Sequence, residues 1–80
     1  MDKLIAKHIA VTAFQASADL GNLVPFLKIH SSQEEYERYA KAIAAASSEI
    51  FLNIMKKVFQ DFPELEEEFD KSIKIYGKIL

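Results

Sequence analysis

Apolar and polar residues along the first twenty positions follow the period of a helix. Between Asp2 and about Leu20, apolar or small residues recur at steps of four or three, the spacing of one helix face. This face comprises Ile5, Ile9, Thr12, Ala16 and Leu20. Gly21 and Asn22 follow it, and both residue types tolerate the left-handed conformation in which many helices end. The pattern therefore predicts that helix 1 ends at about Leu20.

A second and longer helical pattern begins after two serines. Ser32 and Glu35 fit a capping box, in which the hydroxyl and the carboxylate accept hydrogen bonds from backbone N–H groups at a helix start. An apolar seam with steps of four and three follows, and no glycine or proline interrupts it before Pro63. The seam comprises Tyr36, Ala40, Ile43, Ser47, Ile50 and Ile54. One helix 2 is predicted from Gln33 to about Phe59.

The third helical pattern starts near Asp61 and Pro63, because aspartate can cap a helix and proline is tolerated in its first turn. Its apolar stripe comprises Leu65, Phe69, Ser72, Tyr76 and Ile79. Acidic residues crowd the start of this segment and lysines its end, which matches the helix dipole. The chain is therefore predicted to be all-α, a three-helix chain with a long central helix 2, in a single helical domain over residues 1–80.

The segment between the first two patterns is unusually apolar for a connection. It contains five large apolar side chains, Leu23, Val24, Phe26, Leu27 and Ile29, whereas connecting segments are usually polar. A short helical turn beginning at Pro25 would point Phe26 and Ile29 inward together. We expect these side chains to pack on the chain's own core, on a second subunit or on a separate partner protein.

The length of helix 2 indicates self-association. At 1.5 Å per residue its roughly 27 residues span about 40 Å, whereas a compact 80-residue globule is on the order of 30 Å across. A second copy of the chain would cover the overhang in a symmetric interface. The small residues between Ala40 and Ser48 let another helix approach closely, although alanine-rich segments also arise from helix propensity alone. We therefore expect a helical-bundle homodimer.

Composition argues against several classes of protein. The chain has no cysteine, which rules out disulfides and cysteine-bearing zinc sites and favours a cytoplasmic location. Its net charge of −2 comes from interspersed acids and bases, so we expect no nucleic-acid partner.

The longest apolar run, Ile9 to Phe14, is far shorter than the ~20 residues of a membrane-spanning helix. The N-terminus resembles a signal peptide, but Lys7 and His8 interrupt its apolar part, so we expect neither secretion nor membrane insertion.

The two histidines lack the spacing of known catalytic or metal sites. Neither His8 nor His30 lies three residues after a glutamate, as in helical di-iron bundles. His30 precedes Ser31 and Ser32, which places a base beside hydroxyls, but serines in this position also cap helices. We therefore expect no enzyme activity, no cofactor and no metal, unless a histidine meets acids and hydroxyls across a subunit boundary.

Two functions fit these patterns. The first is a non-catalytic interaction or regulatory protein, which self-associates and binds a protein partner through the apolar segment and the seam. The residues predicted for these contacts are Leu23, Val24, Phe26, Leu27, Ile29, Tyr36, Ala40, Ile43, Ser47, Ile50 and Ile54. The alternative is a small-ligand or lipid-binding helical bundle, whose cavity would be lined by Phe14, Phe51, Met55 and Phe59.

Overall fold

Three helical rods make up the part of the chain, residues 1–77, that a computed structural model describes. The first rod is α1, Lys3–His30. The second consists of α2, Gln33–Ile50, a π-helical turn, Phe51–Met55, and α3, Lys56–Asp61, which follow one another without a break. The third is α4, Pro63–Tyr76. The predicted all-α class and the long central helix are confirmed for these residues.

The prediction that the first helix ends at Gly21 and Asn22 is wrong. The helix continues through both residues and through Pro25, and within residues 1–77 the left-handed backbone occurs at Gly77 and not at Gly21. Glycine permits a helix end but does not force one, because its penalty inside a helix is only about 1 kcal/mol. The apolar residues that follow offset this penalty, since Val24 and Leu27 are both half-buried.

The apolar segment at residues 23–29 is therefore helix and not a connector. It forms the last two turns of α1, where a separate short turn after Pro25 had been predicted. The helix ends at Ser31, whose backbone N–H donates to the carbonyl of Leu27 over 3.0 Å and whose hydroxyl donates to the same carbonyl. Ser31 and Ser32 make the whole connection to α2.

The predicted capping box at the start of α2 is confirmed. The Ser32 hydroxyl accepts from the Glu35 N–H at 3.2 Å, and the Glu35 carboxylate accepts from the Ser32 N–H at 3.0 Å. The second of these bonds holds the pKa of Glu35 below its ordinary value, because it favours the charged carboxylate. Asp61 ends α3 and does not cap α4, which instead begins directly at Pro63.

The buried core lies at one end of the molecule, where three rods meet. It contains Ala6, Ala10, Ala13, Met55, Val58, Phe59, Leu65 and Phe69. The rings of Phe59 and Phe69 meet edge to face with centroids 5.5 Å apart, and Leu65 is fully buried. The third apolar stripe is thus confirmed at Leu65 and Phe69. Its last two members, the Tyr76 side chain and Ile79, lie outside the described part of the chain. We call this part of the molecule the three-helix end.

The other end is an antiparallel pair of helices with no third rod against it. Residues 17–47, the second half of α1 and most of α2, include no buried residue. We call this hairpin the arm. It makes the molecule long, with extents of 45 × 25 × 15 Å and a radius of gyration of 14.7 Å, against about 11.6 Å for a compact chain of this length.

The length mismatch that suggested a dimer is resolved within the chain. The first helix has 28 residues, so it is about 42 Å long and runs beside the second rod over nearly its whole length. Helix 2 therefore does not overhang a compact globule, because the molecule is elongated. The surface available for a dimer contact is the one that the hairpin leaves open.

The π-helical turn changes which residues of the second rod face inward. The predicted seam is half-buried from Tyr36 to Ile50, but Ile54 is 41% exposed and Met55 is buried in its place. A π turn holds one residue more than an α turn, so the buried face resumes one position late. Ile54 is thereby rotated out of the seam.

Candidate interaction surface

The apolar face predicted for helix 1 is not the face that is buried in the core, although Ile9 packs against the edge of the core. Ala6, Ala10 and Ala13 are the buried residues of α1, and at about 100° per residue the predicted face lies roughly a quarter turn away from them. Ile5 on that face is 53% exposed. Thr12 and Ala16 are also exposed, whereas Ile9 and Leu20 are half-buried.

This face runs along the whole of α1, because the helix does not stop at Gly21. Leu23 and Leu27 continue it with the same spacing and carry it to the end of the arm. We call the complete set the α1 stripe. It comprises Ile5, Ile9, Thr12, Ala16, Leu20, Leu23 and Leu27.

An open groove separates the α1 stripe from the second rod at the three-helix end. Its volume is about 420 Å³, and almost its whole lining is apolar. The lining residues are His8, Ile9, Thr12, Ala13, Ala16, Ile50 and Ile54. A smaller hollow of about 220 Å³ continues it past Ile9 and Ile54 to Met1 and Phe62. The exposed position of Ile54 after the π turn therefore makes it one wall of the groove.

The fourth helix lies on the other side of the hairpin. Lys3 donates to Glu68 over 2.9 Å and ties the start of α1 to α4. This hydrogen bond raises the pKa of Lys3 and lowers the pKa of Glu68, since both charged forms gain from it. At about 100° per residue, Lys3 lies well over a quarter turn from the α1 stripe. The groove is therefore left open on the side of the hairpin that α4 does not cover.

The groove is suited to apolar contact and offers few polar groups. Residues 1–75 contain no buried polar or charged side chain and no group of three acids or histidines that could hold a metal ion. His8 is exposed at the groove margin, and His30 is exposed with its ring 4.6 Å from that of Phe26. Within the same residues, no helix is both long enough and apolar enough to cross a membrane.

The residues predicted for partner contacts fall in three places. In the last turns of α1, Leu23, Phe26 and Ile29 are exposed, by 44%, 56% and 77%, whereas Val24 and Leu27 are half-buried. The seam residues Tyr36, Ala40, Ile43, Ser47 and Ile50 are half-buried on the face of α2 that packs on α1. Ile54 lies beyond the π turn, in the groove.

The four residues predicted to line a ligand cavity do not surround one space. Met55 and Phe59 belong to the core, and Phe14 packs against it from the side. Phe51 is half exposed and shares a surface hollow of about 340 Å³ with Phe59, but neither Phe14 nor Met55 lines this hollow. None of the four residues lines the apolar groove beside Ile9 and Ile54.

Sequence reasoning placed Ile5, Ile9, Thr12, Ala16 and Leu20 on one helix face but did not assign them to an interaction surface. The signal that could have separated this face from the core is the second row, Ala6, Ala10 and Ala13, which has the same spacing and smaller side chains. Small residues let helices approach closely, so the alanine row is the one that other helices cover.

Comparison of the chain with protein-family models, with curated proteins and with solved structures finds no match. The function of the surface therefore has to be inferred from its own geometry.

Proposed function

We propose that the protein is a non-catalytic helical interaction protein that self-associates through its open apolar face and binds a protein partner. The observation that supports this best is the amount of surface. The accessible area is 5893 Å², whereas a compact monomer of 9.1 kDa has about 4,900 Å². The excess of about 1,000 Å² is comparable to the ~800 Å² that each partner buries in a standard protein interface.

The chemistry of the open surface favours a protein partner over a solute. The α1 stripe is a long row of side chains at helical spacing, and such rows fit another helix laid along them. The groove is open to solvent along its length, whereas small-molecule sites usually enclose most of their ligand. A cytoplasmic location fits this proposal, since the chain contains no cysteine.

Two separate surfaces allow self-association and partner binding at once. Phe26 and Ile29 lie on the outer side of the arm, about a quarter turn or more from the α1 stripe, and both are more than half exposed. We assign the α1 stripe to self-association and this tip of the arm to the partner. A few large side chains near the centre of an interface commonly dominate the free energy of a protein contact.

The test of self-association is the solution mass. Light scattering across a dilution series should give about 18 kDa, twice the 9.1 kDa of one chain, at the higher concentrations. A mass of 9.1 kDa at every concentration would contradict the proposal.

The test of partner binding uses two matched variants. Phe26→Asp places a charge at the tip of the arm, and Ala45→Asp places the same charge at another exposed helical position. Proteins that bind the native chain and the Ala45→Asp variant in a lysate, but not Phe26→Asp, would support the tip as the partner surface. Equal binding by both variants would count against it.

The ligand or lipid alternative rests on the 420 Å³ volume of the groove, which is within the usual range for ligand sites. It makes a different prediction at one residue. Ile54→Asp should abolish binding of an apolar fluorescent probe if the groove is a ligand site. Under the leading proposal, the same change weakens the dimer instead.

A further inference from the structure

We propose that two copies of this chain pack antiparallel along the α1 stripe, with a two-fold axis passing next to Ala16. This inference rests on the proposed self-association and specifies its geometry. The occupant of the open apolar face is a second copy of the same face, turned end for end.

The spacing of the α1 stripe is symmetric about Ala16. Thr12 and Leu20 lie equally far before and after it, as do Ile9 and Leu23, and as do Ile5 and Leu27. A two-fold axis perpendicular to a helix pairs each residue with one at the mirrored position along its partner. Every residue of the stripe in one copy therefore faces a residue of the stripe in the other copy, and no stripe residue is left facing a polar position.

The sizes of the side chains suit the same register. The smallest residue, Ala16, lies at the axis and meets its own copy, which lets the two helices approach within the ~8–10 Å of close helix packing. On either side, Leu20 lies opposite Thr12 and Leu23 lies opposite Ile9. The exposed Leu23 of the arm thus falls on the part of the partner that lines the open groove.

This arrangement covers the arm, which is the part of each chain without buried residues. End-for-end pairing lays the arm of one copy on the three-helix end of the other, so that each α1–α2 hairpin gains a second layer of helices. Two stacked hairpins form a four-helix bundle, the usual way in which helices of this length bury an apolar face. The fourth helix does not obstruct it, because Lys3 and Glu68 tie α4 to another side of α1.

A parallel pairing is less well matched. An axis along the helices would set Leu23 against Leu23 and Leu27 against Leu27, and the two arms would meet each other. Both grooves beside Ile9 and Ile54 would then lie side by side, without the large arm residues to fill them.

Single cysteine substitutions test the register directly, since the native chain has no cysteine. Ala16→Cys should form a disulfide-linked dimer under mild oxidation, because helices ~8–10 Å apart place facing Cα atoms about 3.4–5.4 Å apart, which overlaps the ~4.4–6.8 Å range of disulfides. Leu23→Cys alone should not link, because its two copies are about 21 Å apart in the antiparallel register. A mixture of Ile9→Cys and Leu23→Cys chains should link to each other. Ala45→Cys, on the exposed side of α2, is the control for random collision.

A charge at the axis supplies the second test. Ala16→Asp brings two carboxylates together in an apolar contact, so the dissociation constant of the dimer should rise at least about 100-fold. Ala45→Asp should leave it unchanged, and circular dichroism should give the same helix content for both variants.

The outcomes separate the inference from the proposed function. A mass of about 18 kDa supports both, provided that the Ala16→Cys variant links to itself and the Ile9→Cys and Leu23→Cys chains link to each other. A dimer in which Leu23→Cys links to itself, or in which Ala16→Cys fails to link, overturns the antiparallel register and leaves self-association intact. A mass of 9.1 kDa at all concentrations overturns both.

Discussion

The two ends of this molecule are built from the same two long helices, but only one end has a core. At the three-helix end, α3 and α4 close over the first half of α1 and bury eight side chains, including Leu65 and Phe69. In the arm the helices have only each other, and no residue there is buried. Large apolar side chains of the arm, such as Leu23 and Phe26, are exposed.

The difference shows what a third helix contributes. Two packed helices bury one stripe of side chains on each helix and leave the apolar side chains beside that stripe exposed. A third helix covers those side chains as well and so creates a core. The arm is too long to be explained as a support for the core, because it extends past every core residue by several turns. Its stability is therefore the property that a second copy of the chain should change most.

The largest expected effect is at the three-helix end. Leu65→Ala removes most of a fully buried side chain and should lower the free energy of unfolding by about 3–5 kcal/mol. A domain of this size is stable by only about 4–12 kcal/mol, so the variant should be close to unfolding. Val24→Ala, at a half-buried position of the arm, should lower it by about 1 kcal/mol. Urea denaturation measures both, and equal losses would contradict the contrast between the two ends.

A smaller effect is expected at the start of α2. Ser32→Ala removes the hydroxyl that accepts from the Glu35 N–H and opens the capping box, and N-cap losses of this kind lower stability by about 1 kcal/mol. Chemical denaturation followed by circular dichroism measures it. Ser48→Ala, an exposed serine within α2, is the control and should change little. A Ser32→Ala variant as stable as the native chain would show that the arm does not depend on this cap.

Glycine substitutions test the continuity of α1. Gly21 has a helical backbone and no atom near the position of an added Cβ, so Gly21→Ala should raise stability by about 0.5–1 kcal/mol. Gly77→Ala should lower it by about 1–2 kcal/mol, because Gly77 has a φ of 69°. Thermal unfolding gives the sign of each. If Gly21→Ala lowers stability, the helix ends at that residue after all.

The smallest expected effect is the response to acid. The pKa of Glu35, in the arm, is lowered by the Ser32 backbone N–H, and the pKa of Glu68, at the three-helix end, is lowered by Lys3. Their stabilising contributions are therefore complete above the ordinary carboxyl value of 4.5 and disappear as the pH falls through the lowered values.

Unfolding measured from about pH 7 to about pH 2 should show this decline. Glu35→Gln and Glu68→Gln should each make it shallower. High salt should reduce the effect of Glu68→Gln, since that carboxylate acts through an exposed ion pair. Identical profiles for the native chain and both variants would contradict the assigned pKa directions.

Much of the fold followed from local sequence signals. The capping box at Ser32, the seam from Tyr36 to Ile50 and the buried positions Leu65 and Phe69 were all predicted, because each depends on residues within a few turns of one another. Periodicity reports which residues share a helix face, and these elements need little more than that.

The rest depended on packing that periodicity does not contain. Gly21 and Asn22 allowed a helix end, but the apolar residues after them made a longer helix more stable. The α1 pattern holds two rows of similar spacing, and only the contacts with α3 and the π turn decide that Ala6 and Ala10 face inward. The π turn itself leaves no local signal, although it moves Ile54 from the seam to the groove.

Hydrogen exchange of the native chain and of Ala16→Asp tests the central claim most directly, that a second copy stabilises the arm. We expect the backbone amides of residues 17–30 and 33–47 to exchange much faster in Ala16→Asp than in the native dimer, while amides around Leu65 and Phe69 keep most of their protection. Ala45→Asp should exchange like the native chain. Unchanged arm protection in an Ala16→Asp protein shown to be monomeric would contradict the account, because the hairpin would then be stable on its own.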